Sequence, residues 1–385
     1  MDARRAPQIP SLTPLRGVAA LFVVAFHLQF WIPNLRYPST MPAFLLGYLW
    51  VDFFFLLSGF VIAHVYGSWL THGLRSFPYV RFLYARLCRV YPLHAAVLAA
   101  MVGFELVQVG LRSFGRLPGF EPFTDANPVS GIFTHLLLIN GWNLHDRLLW
   151  NFPAWSISAE LTAYLAFPVL WLLLSRLSAV LSWLAFALLL AALNALALGN
   201  GGRLAIHHDY GAVRCLLEFS IGILVYRAYR SDRCLRWLRS DAAFALALAW
   251  ILSLMAILAR DILIVPGFAL LLLVAAHNTG LASRVLNSRP LLHLGDVSYS
   301  IYMVNVPIFL AFRTLWLAAT GERFGTGLGL AEAWAAWAAG VAVVIAVSTA
   351  THRYVEVPAR MALRHLAPAP GHPPTGTAPR GGNDG

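Results

Sequence analysis

The chain has 385 residues, of which 59% are hydrophobic and only 12% charged, and its mean hydropathy is +0.67. Soluble domains carry roughly 25% charged residues; an ordinary soluble enzyme and a disordered protein are both excluded, and the length reads as a series of membrane spans of about 20 apolar residues each. The net charge is +11 and all 28 basic residues are Arg; they lie in short loops between apolar runs, which fits membrane orientation and not nucleic acid binding.

In chain order, apolar runs predict about ten spans, near 14–32, 46–66, 90–110, 152–174, 179–198, 212–229, 242–259, 261–277, 291–317 and 333–352. The first run follows Arg4 and Arg5, as a signal peptide would. It contains His27 and lacks an A-x-A cleavage site, so it reads as a retained span. The run from Ile132 to Trp142, bounded by Pro128 and Gly141, is too short to span and reads as re-entrant or interfacial. With the N-terminus inside, 19 Arg fall on the cytoplasmic side and eight on the other, with Arg313 inside a span. That bias predicts an all-α polytopic membrane protein with both termini cytoplasmic. Residues 1–365 form one membrane domain in this reading. Residues 366–385, rich in Pro, Gly and Thr, read as a disordered cytoplasmic tail. Cys88, Cys215 and Cys234 have no spacing that suggests a disulfide framework or a zinc site. The outer-loop group His207, His208 and Asp209 lacks partner spacing for a metal, and no metal is expected.

Ionisable groups inside apolar runs are costly, and each is a candidate for function. Arg16 and His27 are eleven residues apart in TPLRGVAALFVVAFHLQF. At about 100° per residue they share one helix face, roughly 16 Å apart along the axis. His27 suits proton transfer near neutral pH; the bland alternative is a hydrogen bond to a neighbouring helix. Asp52, in WVDFFFLLSGF, must be paired or protonated. It would orient a His, bind an Arg or form a structural ion pair. Ser58-Gly59 lets backbones approach closely, a feature of packing more often than of chemistry. Arg86 and Arg89 are i, i+3 in RFLYARLCRVYP and share a face. Paired guanidiniums suit phosphate oxygens; taken alone, the pair reads more simply as positive-inside anchoring or anionic lipid binding. NFPAWSISAELTAY brings Trp155, Ser156, Ser158 and Glu160 to the entrance of a span, and LGDVSYSIYMVNVP carries Tyr302 and Asn305. RYVEVP closes the last span and reads as a salt-bridged anchor.

Taken together, these segments resemble the membrane acyltransferase-3 family, which includes bacterial O-antigen and envelope-polysaccharide O-acetyltransferases. TPLRGVAALFVVAFH, VDFFFLLSGFVI, RFLYARLCRVYPLH, WSISAELTAYLAFP, LGDVSYSIYMVNVPI and RYVEVPAR occur in the family's order, from Leu12 to about Arg360. The resemblance implies about ten helices in the bacterial inner membrane. It implies acyl-CoA as donor, with acetyl the commonest acyl group, and a hydroxyl acceptor on an envelope glycan or its lipid-linked precursor. Macrolide-like natural products are a second acceptor class for stand-alone relatives, and this chain reads as stand-alone. By carry-over, His27 would be the general base with Arg16 in support, Arg86 and Arg89 would bind the coenzyme A phosphates, and Glu160 would be the essential acid. Asp52 would orient His27 or bind acceptor hydroxyls, and Trp155, Ser158 and Tyr302 would contact substrate. The chain departs from many relatives at Asn305, where they carry His, and at Leu161, where they carry a second carboxylate. A proton-coupled transporter or flippase and a non-catalytic scaffold are the rival classes. Neither needs a cytoplasmic phosphate clamp at Arg86 and Arg89.

Overall fold

The computed structural model describes residues 9–35, 42–71, 73–117, 119–231 and 236–366, and every regular element among them is helical. The expected tail beyond 366, Cys234, and Arg4, Arg5, Arg36, Arg233 and Arg380 of the orientation count lie outside the described residues. Each predicted apolar run coincides with helix. In order, the helices are α1 (Leu12–Leu28), α2 (Pro42–Leu45), α3 (Trp50–Tyr66), α4 (Tyr79–Ser113), α5 (Val129–Leu136), α6 (Trp155–Ser175), α7 (Ala179–Gly199) and α8 (Gly211–Arg230). They continue with α9 (Asp241–Ala256), α10 (Val265–His277), α11 (Leu281–Leu286), α12 (Arg289–Asp296), α13 (Ser298–Thr320), α14 (Leu330–Thr351) and α15 (Val357–His365).

Six helical segments among the described residues are long and apolar enough to cross a membrane: Gly47–Leu70, Tyr79–Ser113, Phe152–Ser175, Ala179–Gly199, Ser298–Thr320 and Leu330–His365. Helix α1, α9 and the segment Asp261–His277 are apolar but shorter. Helix α8 interrupts its apolar run with Arg214, Glu218, Arg227 and Arg230. Helix α7 shows the lipid-facing pattern most plainly, with Val180, Trp183, Leu184 and Leu188 all exposed. A helix apolar on every side, yet packed on only one, is stable where the surroundings are hydrocarbon.

Two expectations about boundaries are corrected. The run 291–317 is two helices, because the chain breaks at Val297 (φ −87°, ψ 2°) between α12 and α13. The run 90–110 is only the latter part of α4, a single 35-residue helix that also carries Arg86 and Arg89.

Helix ends follow their sequences. Ser178 and Ser240 accept the backbone N–H of Leu181 and Ala243 and start α7 and α9. Gly321, at φ +77°, ends α13 in the left-handed conformation that glycine adopts without strain.

Two close crossings position the site. Helices α3 and α8 meet at Gly59 and Gly222: a Cβ on Gly59 would lie 2.0 Å from the Phe219 carbonyl oxygen, and one on Gly222 would lie 2.0 Å from that of Leu56. This is the close backbone approach expected of Ser58-Gly59. Helices α1 and α12 meet in the same way, with a Cβ on Gly295 falling 2.1 Å from the Thr13 oxygen. The long loop between α4 and α6 folds back on α4. Buried Glu105 accepts from the Phe123 N–H and from Asn127 Nδ2 at 3.0 and 2.9 Å.

Candidate active site

A polar cavity of about 450 Å³ opens between α1, α3, α4, α6 and α13. Arg16, Arg86, Arg89, Ser58, Ser156, Glu160, Tyr164, Tyr299 and Tyr302 line it, and Arg364 of α15 also reaches it. The helical period explains which residues of α6 face inward. Ser156, Glu160 and Tyr164 recur every fourth residue and form one stripe. Tyr164 donates to Glu160 Oε2 at 2.9 Å, and Ser58 donates to the Tyr164 hydroxyl at 3.4 Å. Arg86 donates to the Tyr66 hydroxyl at 2.7 Å and lies over that ring, 5.1 Å from its centroid. Among the described residues, Arg16, Arg86 and Arg89 form no ion pair within 4 Å. Three guanidiniums converging on one enclosed space without paired carboxylates make a site for a multiply charged anion.

His27 lies beyond this cavity and does not line it. Its Nδ1 is 2.7 Å from Asn305 Oδ1, and both side chains are buried. Asn305 donates its Nδ2 to the carbonyls of Ile301 and Tyr302, at 3.0 and 2.7 Å. Those two bonds fix the amide with its oxygen toward His27, so Nδ1 carries the imidazole proton and Nε2 keeps the lone pair. The imidazole packs edge-on against Phe152, with ring centroids 5.1 Å apart. Tyr302 stands between the two regions. Its hydroxyl meets Ser156 Oγ at 2.7 Å and donates to the Pro153 carbonyl at 3.1 Å. It lines the cavity from α13, one turn before Asn305.

Of the alternatives open to Asp52, the structure records the ion pair with an Arg and not a contact that orients His27. Asp52 accepts two hydrogen bonds from Arg214, one of them Nε to Oδ1 at 3.0 Å, and Arg214 also donates to the Ile206 carbonyl. Glu218 approaches the same guanidinium at 3.6 Å, and all three side chains are essentially inaccessible. The reason is the glycine crossing of α3 on α8, which brings these charges into apolar surroundings where each requires a partner. Trp155 belongs to this cluster and not to the cavity lining. Arg214 lies over its ring at 5.6 Å, and His207 meets it edge-on at 5.1 Å. In the loop between α7 and α8, burial, then the charge of Arg214, pushes His207 down to about 4. Ser158 is fully buried, accepts the Gly141 N–H at 3.2 Å and pins the long loop. It points about 200° around α6 from the Ser156 stripe.

The structure therefore brings Arg16, Arg86, Arg89, Glu160 and Tyr302 together, sets His27 just beyond them, and places Asp52, Trp155 and Ser158 in supporting positions. Sequence reasoning missed Tyr164, Tyr66 and Arg214 and ranked Ser158 above Ser156. The four-residue spacing of Ser156, Glu160 and Tyr164 was the available signal for two of these. RYVEVP behaves as expected: Glu356 accepts from Ser300 at 3.0 Å and lies 3.6 Å from Arg360.

These features define a membrane protein, helical throughout its described residues, with an arginine-rich polar cavity between its helices. The chain belongs to the acyltransferase-domain family, whose signature matches residues 9–353. It is similar to acyltransferase MdmB of Streptomyces mycarofaciens, with 28% identity and 98% of each chain covered. Over 39% of its length it is also similar to protein 2 in the picA locus of Rhizobium radiobacter, with 34% identity and 75% of that protein covered. No solved structure matches it. The protein is thus a membrane acyltransferase.

Proposed function

We propose that this acyltransferase moves an acyl group, acetyl in the first instance, from acyl-CoA to a hydroxyl of an envelope polysaccharide or its lipid-linked precursor. The reading includes ten crossings of the bacterial inner membrane with both termini cytoplasmic. The observation that carries it is the convergence of Arg16, Arg86 and Arg89 on one cavity without ion-pair partners. Coenzyme A offers the phosphates that such a set would bind bidentately. A transporter has no comparable use for them.

The donor's phosphates sit at Arg86 and Arg89, and the thioester arm runs along the Ser156–Glu160–Tyr164 stripe toward Tyr302. His27 Nε2 takes the proton of the acceptor hydroxyl as its oxygen attacks the thioester carbonyl, a contribution typically of order 10²–10⁴-fold. The tetrahedral intermediate collapses with cleavage of the C–S bond. The thiolate of coenzyme A takes the proton from His27, which leaves acyl ester and free thiol. As the imidazole becomes cationic, its Nδ1–H bond to Asn305 strengthens. The hydroxyls of Ser156 and Tyr302, which in the resting site share the Pro153 carbonyl, turn to donate to the developing oxyanion. Glu160, tied to Tyr164, binds acceptor hydroxyls or positions the arm, and Asp52 acts through the fold.

A macrolide-like acceptor is the second reading, as the resemblance to stand-alone members of the family implies. The test uses membranes containing the protein, acetyl-labelled acetyl-CoA, and either an envelope glycan fraction or a macrolide. Wild type is compared with His27→Ala at matched expression. Label in glycan with wild type alone supports the first acceptor, and label in macrolide alone the second. Equal labelling by both proteins would remove His27 as the base, and labelling by neither points to a different acceptor or acyl chain.

A further inference from the structure

The arginine cavity holds a fourth guanidinium. Arg364 of α15 lines the same space as Arg16, Arg86 and Arg89. They differ in depth: Arg16, Arg86 and Arg89 are half-buried, whereas Arg364 is exposed and stands at the rim. Its place is set by the chain. Helix α15 follows α14 through the π-helical turn His352–Glu356. The Tyr84 hydroxyl donates to the Leu363 carbonyl at 2.6 Å, which ties the residue before Arg364 to α4, the helix of Arg86 and Arg89. Arg364 forms no ion pair among the described residues. Glu356, the one carboxylate of this segment, already accepts from Ser300 and lies 3.6 Å from Arg360. The dipole of α15 favours a cation in its last turn, but it does not account for a guanidinium that lines the cavity.

Coenzyme A carries its charge in two places. A diphosphate joins pantetheine to adenosine, and a phosphate monoester sits on the ribose, at the end of the molecule away from the thiol. With the thioester running inward toward Tyr302, the diphosphate falls at the half-buried guanidiniums and the monoester at the rim. A monoester there takes a bidentate contact from an arginine that has no other anion to bind. We propose that Arg364 binds the ribose phosphate of coenzyme A and so makes the site selective for a donor carried on the whole nucleotide. The phosphopantetheine arm of a carrier protein has a single phosphodiester and no ribose, and it forgoes this contact, as does dephospho-coenzyme A. The proposal rests on Arg86 and Arg89 as the phosphate clamp and adds the form of donor that the clamp prefers.

The test uses the full-length protein in phosphatidylcholine nanodiscs, titrated calorimetrically with coenzyme A and with dephospho-coenzyme A, which lacks only the ribose phosphate. Wild type should bind coenzyme A roughly tenfold more tightly, the lower end of a charge-assisted contact. Arg364→Gln should weaken coenzyme A to the level of the dephospho form and leave the dephospho form unchanged, which also shows that the variant is folded. Arg364→Lys should keep part of the preference. Arg89→Gln should weaken both forms by a similar factor. Equal binding of the two forms by wild type, or a preference that survives Arg364→Gln, overturns the proposal; weaker binding of both forms to Arg89→Gln would then leave the clamp standing without it. Binding of neither form removes the clamp and the proposal together. A lipid headgroup is the rival source of phosphate. If Arg364 serves one, Arg364→Gln releases phosphatidylglycerol added to the nanodiscs and leaves the preference for coenzyme A untouched, which likewise overturns the proposal.

Discussion

His27 Nδ1 and Asn305 Oδ1, 2.7 Å apart, join the first long helix to the thirteenth through one buried hydrogen bond whose direction is set by the asparagine's own backbone contacts. The bond does for a neutral pair what a carboxylate does for the histidine of a hydrolytic triad: it selects the tautomer and aims the free nitrogen. Asn305 is therefore a positioning residue. Asn305→Leu should lower kcat by roughly 10²-fold, the lower end of a general-base contribution, with little change in KM for acyl-CoA. Asn305→Asp still offers an acceptor to Nδ1–H and should keep most of the rate. Steady-state kinetics on both variants checks this, and a KM effect in Asn305→Leu would point to disturbed packing instead.

The arginine cavity makes the opposite kinetic prediction. Arg89 meets no carboxylate within ion-pair distance, so its interactions are free for a ligand. Arg89→Gln should raise KM for acyl-CoA roughly tenfold or more, as expected for loss of a charge-assisted hydrogen bond, while kcat at saturation changes far less. Arg86→Gln should do the same and additionally free the Tyr66 hydroxyl. An unchanged KM in both variants would return the pair to a role in membrane orientation.

Much of this arrangement was legible in the sequence because the membrane makes charge conspicuous. Arg16, His27, Arg86, Arg89 and Glu160 each stand out in an apolar run, and the helical period alone puts Arg86 beside Arg89. What could not be read was which charge meets which. Asp52 has no local partner; Arg214 is 162 residues away, and their meeting depends on the close crossing in which Gly59 faces the Phe219 backbone and Gly222 that of Leu56. The break at Val297 was equally hidden, since apolar composition runs through it and the crossing of Thr13 with Gly295 shapes the chain there. The segment WSISAE offers both serines and the reading above names Ser158 as the substrate contact, whereas the four-residue stripe through Glu160 and Tyr164 favours Ser156.

The Asp52–Arg214 pair gives a stability prediction. Removing one partner of a buried pair typically costs about 3–5 kcal/mol, and here Glu218, 3.6 Å from the same guanidinium, remains as the one carboxylate near Arg214 and lessens the loss. Asp52→Ala should therefore reduce folded yield and thermal stability, and Asp52→Ala combined with Arg214→Leu and Glu218→Gln, which removes every charge of the cluster, should recover part of the loss. Thermal melts of wild type and the two variants in detergent decide the matter. An Asp52→Ala protein that melts like wild type yet has lost kcat would restore the catalytic role read from the sequence.

His207 offers a separate prediction about pH. In the folded chain it titrates at about 4, against about 6.5 for an unperturbed histidine. Between those values the unfolded chain binds the extra proton, so stability rises with pH across that window and falls on acidification. Lowering the pH from 7 to 5 should reduce the apparent melting temperature of wild type, and His207→Gln, which cannot titrate, should lose that component. Because His207 stays neutral over the same range, the substitution should leave any acid limb in the rate profile in place, as expected if that limb belongs to His27. If His207→Gln removed the limb, the proton acceptor would lie in the outer loop and not at the Asn305-held imidazole.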